Sequence, residues 1–105
     1  MLDAADSAQE FALGRRREDL DGDQMLIFAL VRALEIIGEA AGQVTEVTRN
    51  SLPHIAWRQI VGMRHRLVHA YFDVDYDRVW DTTAHYVPDL IEQLRNVLQA
   101  SSNND

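Results

Sequence analysis

The chain has 105 residues, the length of one domain. Its hydrophobic fraction of 47% is enough for a core, and its lack of cysteine excludes disulfides and thiolate-held metals. The net charge of −7 on its face argues against binding nucleic acid, and the longest unbroken apolar run, Met25–Val31, is far too short to cross a bilayer.

Met1 is followed by Leu-Asp-Ala-Ala-Asp, not by a basic start and an apolar block, so no secretory signal and a cytoplasmic location are expected. Strand-like alternation is absent, and the chain reads as helices throughout. The first helix is expected over Leu2–Leu13, stopped by Gly14. Arg15-Arg16-Arg17-Glu18-Asp19 is a charged connector, followed by the turn Asp21-Gly22-Asp23 with Asp23 as an N-cap.

The second helix is expected from Gln24 to Val47. Arg32, Glu35, Glu39 and Gln43 fall within a polar arc of about 80° on a 100°-per-residue wheel, and nearly everything else is apolar or small. A helix apolar over so wide an arc is expected to be covered on several sides, and a second subunit is one source of that cover. Thr48–Pro53 is a connector, and a third helix is expected over Ala56–Ala70. The last helix begins at the N-cap Asp75 and ends near Ala100, with Pro88 expected to kink or split it. The reading is one all-α domain over residues 1–100, an up-and-down bundle of four to five helices, with 101–105 a frayed tail.

Charge is unevenly distributed. Residues 1–48 carry net −6 and residues 70–105 net −5, while residues 49–69 hold Arg49, Arg58, Arg64 and Arg66 with no acid, net +4. His54, His65 and His69 fall in the same window. An acidic body therefore carries one cationic strip, and arginine offers the planar fork suited to phosphate.

The third helix holds the candidate chemistry. With Trp57 at 0°, Trp57, Ile60, Val61, Leu67, Val68 and Tyr71 make an apolar stripe, and Arg64 lies at about 340°, inside it. A guanidinium there needs a buried carboxylate, such as Glu35 or Glu39, or an anionic ligand. His69 lies about 140° from Arg64 on an ideal helix, so the two converge only if the helix ends or bends, or if they meet across a two-fold axis. Arginine can hold a phosphodiester and histidine can move its protons near neutral pH, a pairing able to cleave RNA without a metal. His65 and His69, spaced i, i+4, could also share a metal, but no HExxH is present and Arg66 stands between them, so no metal is assigned.

The string Met63-Arg64-His65-Arg66-Leu67-Val68-His69-Ala70-Tyr71 resembles the R-x4-H-x-Y motif of HepT-like HEPN proteins. Leu34–Ala41 resembles the family's second-helix signature. Pro53 with Trp57–Ile60 precedes the motif, and Val74-Asp75, Val79-Trp80 and Val87–Leu90 follow it as in the family, so the resemblance spans about residues 20 to 95 in order. It implies a homodimeric bundle whose Arg64 and His69 line a cleft between protomers. The implied activity is metal-independent RNA cleavage, with tRNA the family-level target and no cofactor. It further implies a toxin whose Tyr71 is modified with AMP by a cognate minimal nucleotidyltransferase antitoxin, the added charge and bulk blocking RNA. His65 departs from the Asn common at its position and is an assisting candidate, as is Glu39. Arg58, Arg66 and Arg15, Arg16, Arg17 are candidates for contacting RNA. The alternative is a HEPN dimer that does no chemistry and only docks to the nucleotidyltransferase.

Overall fold

A computed structural model describes residues 1–69 and 73–103, with side chains up to residue 100. It is an all-α bundle, and no helix among the described residues is long and apolar enough to cross a membrane. Helix α1 (Leu2–Ala12) stops at Leu13, and Gly14 takes the left-handed φ of 74° that only glycine adopts cheaply. Ala5 and Ala8 are fully buried, and their small side chains let α1 lie close against the long helices α3 and α8. The charged connector contains a short helix, α2 (Asp19–Gly22), pinned by buried Leu20.

Helix α3 (Gln24–Gly42) is the central element, touching α1 and every short helix of the site region. Asp23 caps it, its carboxylate accepting from the Leu26 N–H at 3.0 Å. Ile27, Leu30, Leu34 and Ile37 are completely buried, each stabilising the fold by about 2 kcal/mol in transfer free energy. The helix ends five residues before the expected Val47. Gly42 and Gln43 give way to Thr45, whose side chain accepts from the Thr48 N–H at 3.2 Å and starts α4 (Glu46–Ser51) inside the expected connector.

The expected third helix is two pieces, α5 (Trp57–Val61) and α6 (Met63–Leu67), divided at Gly62. Gly38 of α3 is the contact that seats α5: a Cβ there would stand 3.1 Å from the carbonyl oxygen of Ile60. Asp75 caps α7 (Tyr76–Asp81) as expected. A π-helical turn (Thr82–Tyr86) then leads directly into α8 (Val87–Asn103). That turn is how Pro88 is accommodated. The Val87 N–H reaches back five residues to the Thr82 carbonyl, widening the helix where a proline ring would otherwise press on the carbonyl four residues before it. Thr83, buried in this turn, donates its hydroxyl to the Val79 carbonyl at 2.8 Å.

Candidate active site

Helix α6 ends at Leu67, two residues short of His69. Val68 is extended (φ −126°, ψ 121°) and forms an antiparallel bridge with Val74. The His69 N–H donates to the Asp73 carbonyl and the Asp75 N–H donates to the Leu67 carbonyl, both at 2.8 Å. Main-chain bonds thus fold the chain back on itself immediately after the helix. The ideal-helix separation of Arg64 and His69 no longer applies, since only Arg64 is helical. Tyr71, expected to be the modified residue, lies outside the described residues.

His69 is exposed, with Nε2 3.8 Å from Asp75 Oδ2. That is the separation of an ion pair when the ring is protonated, and too long for a hydrogen bond. Asp75 is itself fixed. Its Oδ1 accepts from the Arg78 N–H at 3.1 Å, and its Oδ2 lies 4.0 Å from Arg78 Nε. The start of α7 therefore presents a carboxylate to the imidazole.

Arg64 corrects one expectation: it is exposed, not set in an apolar seam. Ile60, Met63 and Leu67 keep i, i+3, i+7 spacing across Gly62 and face the core, while Val61 is exposed and Trp57 and Val68 are only partly buried. The buried arc is thus narrower than the apolar stripe, and Arg64, His65 and Arg66 all face solvent. Glu35 and Glu39 are also not its partners. Both pair with Arg32 of their own helix, at 3.6 and 3.4 Å. Arg58, Arg64 and Arg66 are exposed and, among the described residues, none of the three is in an ion pair; Arg49 is partly buried and donates to the Ala41 carbonyl at 2.8 Å.

Arg15, Arg16 and Arg17 are engaged with Asp23, Glu18, and Asp21 plus Asp77 respectively. Arg17 donates from Nε to Asp77 at 2.6 Å and stands over the Tyr76 ring, stapling the α1–α2 connector to α7. The Asp77 and Asp21 hydrogen bonds hold its guanidinium even more firmly protonated than usual. Arg58 borders a separate shallow groove beside Trp57 and Arg49. Among the described residues, no three of His, Asp and Glu come together to hold a metal ion.

Two features escape a reading by spacing. One is Asp75 facing His69, which requires the chain reversal at Val68–Val74. The other is a cavity of about 420 Å³ between α6 and α7 with its π turn, lined by Arg66, Arg78, His85 and Tyr86 over Met63 and Leu67. Burial pushes the Tyr86 phenol above its usual range, and the Arg66 charge partly opposes that shift.

A family model described as Ribonuclease HepT-like matches residues 1–97. The chain is 38% identical over 98 residues to "Probable ribonuclease HepT" of Thermococcus cleftensis, covering 90% of this chain and 89% of that protein. It is 30% identical over 105 residues to "Putative RNase MJ1216" of Methanocaldococcus jannaschii, covering 100% of this chain and 87% of that protein. It is 40% identical over 82 residues to "Putative RNase TTE0752" of Caldanaerobacter subterraneus subsp. tengcongensis, covering 78% of this chain and 73% of that protein. No solved structure matches the chain.

Proposed function

Because the chain belongs to the HepT-like ribonuclease family, we propose that it is a metal-independent RNase toxin that cleaves RNA, with tRNA the target class, through Arg64 and His69. The observation that carries this reading is the end of α6 at Leu67, which leaves Arg64 exposed on the helix and His69 exposed on the adjoining loop, against the fixed carboxylate of Asp75.

Arg64 binds the scissile phosphodiester and neutralises the charge that builds on it. His69 takes the proton of the 2′-hydroxyl, whose oxygen attacks phosphorus while the bond to the 5′ oxygen breaks. The departing oxygen takes up a proton, supplied by the His69 of a second copy in the dimer. The products are a 2′,3′-cyclic phosphate and a 5′-hydroxyl. His65, exposed beside Arg64, assists in binding phosphate, and Arg58 extends the cationic track along α5.

Homodimerisation is part of the proposal. On α3, the exposed Met25, Phe28 and Ile36 share an arc of about 100° with Arg32, Glu35 and Glu39. A long helix face carrying exposed Phe and Met is suited to packing on its own copy. Control by a nucleotidyltransferase antitoxin, through AMP on Tyr71, completes the reading. That residue is two positions beyond His69, so an added phosphate there introduces negative charge where RNA must approach. The cytoplasm is the compartment this role requires.

Arg64→Ala and His69→Ala test the assignment in an assay on total tRNA with EDTA present. Both side chains are exposed, so melting temperatures stay near that of the wild type while cleavage falls by at least about a hundredfold, the scale of a lost general acid–base group. Cleavage that survives both changes, or that EDTA abolishes, refutes the reading.

A further inference from the structure

We propose that the cavity between α6 and α7 is a nucleoside-phosphate subsite, taking the unit of RNA next to the one cleaved; this rests on the ribonuclease reading above. At about 420 Å³ the cavity is of ligand size. Its floor is the buried pair Met63 and Leu67, and its wall is the half-buried ring of Tyr86, together an apolar surface against which a base can stack. Its rim carries two guanidiniums from different elements, Arg66 of α6 and Arg78 of α7, with His85 beside them. Flat apolar surface below and planar cations above is the chemistry of a base with its phosphate. Asp81 also lines the cavity. Its carboxylate opposes a phosphate but accepts hydrogen bonds from base N–H groups, so phosphate belongs at the arginine side and the base edge at the Asp81 side.

Contacts already described connect this cavity with the catalytic pair. From His69 the surface runs to Asp75 at 3.8 Å, and from Asp75 to Arg78 at 4.0 Å, which is on the cavity rim. A strand whose phosphate sits at His69 thus reaches the cavity by crossing one carboxylate that Arg78 partly neutralises. The other end of the rim, Arg66, is two residues beyond Arg64 on α6 and about 200° further round that helix, so the strand enters from the Arg78 side. The same chemistry is offered to a free mononucleotide, and the experiment separates the two sources.

The test uses the full chain. Binding of a fluorescent 12-nucleotide RNA is measured in the His69→Ala background, which keeps the RNA intact. Binding of 5′-AMP, 5′-GMP, 5′-CMP and 5′-UMP is measured by NMR on the wild type, following the Met63 methyl at the cavity floor. Arg66→Gln, Arg78→Gln and Tyr86→Leu are each expected to weaken binding by roughly tenfold, the scale of one charge-assisted hydrogen bond or one stacked base. RNA affinity lost with no mononucleotide response assigns the cavity to the strand. A mononucleotide response at Met63 that Arg66→Gln abolishes assigns it to free nucleotide. Unchanged RNA affinity in all three variants, with a silent Met63 methyl in the wild type under every probe, overturns the proposal. The methyl readout needs no variant and stands even where one fails to fold. If the wild type cleaves no RNA but the cavity binds it, the nuclease reading fails and the subsite survives; if it cleaves RNA with the same KM in all three variants, the subsite alone fails.

Discussion

Asp75 caps helix α7 with one carboxylate oxygen and faces His69 with the other: Oδ1 accepts from the Arg78 N–H at 3.1 Å and Oδ2 lies 3.8 Å from the imidazole Nε2. The two tasks can be separated by substitution. Asparagine still caps a helix but carries no charge, so Asp75→Asn should leave the melting temperature nearly unchanged and lower the cleavage rate about tenfold. Asp75→Ala should lose the same activity and also about 1 kcal/mol of stability. Full activity in Asp75→Asn would show that the carboxylate serves the fold alone.

Gly38 makes a second sharp demand. An added methyl would meet the Ile60 carbonyl oxygen at 3.1 Å, and that oxygen is backbone, unable to swing aside. Alanine gains about 1 kcal/mol of intrinsic helix preference, but moving α5 costs about 1–3 kcal/mol. Gly38→Ala should therefore be net destabilising, and Gly38→Val more so, in urea unfolding followed by circular dichroism. Equal midpoints for Gly38→Ala and wild type would mean that α5 yields freely.

The α3 face gives a prediction about assembly. Met25 is 83% and Phe28 58% exposed, so Met25→Glu with Phe28→Glu should leave the fold of the single chain within about 0.5 kcal/mol. Sedimentation should show the wild type as the proposed dimer and the double variant as a monomer, and RNA cleavage should fall with it. A double variant that still sediments as a dimer places the interface elsewhere.

Tyr86 predicts the behaviour at high pH. Burial raises the phenol above its ordinary value of about 10 in the folded chain, so the folded state holds that proton longer than the unfolded state does. The contribution is fully present below pH about 10 and is lost as pH rises through the folded value. Tyr86→Phe removes the group, and its stability should fall less between pH 9 and pH 11 (roughly the window around an ordinary phenol) than that of the wild type. Parallel curves for the two proteins would assign the alkaline loss to other groups.

Much of this is legible in the sequence. Asp23 and Asp75 as caps and Gly14 as a stop each depend on local chemistry that spacing reveals. The R-x4-H pattern brought the family into view for the same reason: it is a local string. What escaped depended on breaks in regularity. A wheel drawn through Trp57–Tyr71 counts every apolar residue as core, but Val61 is exposed, Trp57 and Val68 are only partly buried, and the side that packs runs through Ile60, Met63 and Leu67, which leaves Arg64 in solvent; the end of α6 at Leu67 likewise takes His69 off the wheel. The Thr45 cap likewise cut α3 short and made a helix of a stretch read as connector. Pro88 marks a disturbance in the sequence, but its remedy, a widened turn in the residues before it, belongs to the backbone and leaves no trace in periodicity. The cavity joins Arg66 to Arg78, His85 and Tyr86, residues that no single wheel places together.

The placement of charge has one more consequence. A polyanion nearing this molecule is turned away by most of its surface and welcomed along one edge, where Arg58, Arg64 and Arg66 stand exposed. Added salt weakens the welcome and the rebuff together. Encounter rates should then respond to ionic strength far less steeply than the number of arginines at that edge implies, and the acidic remainder becomes a device for orientation: a strand that arrives anywhere else does not stay.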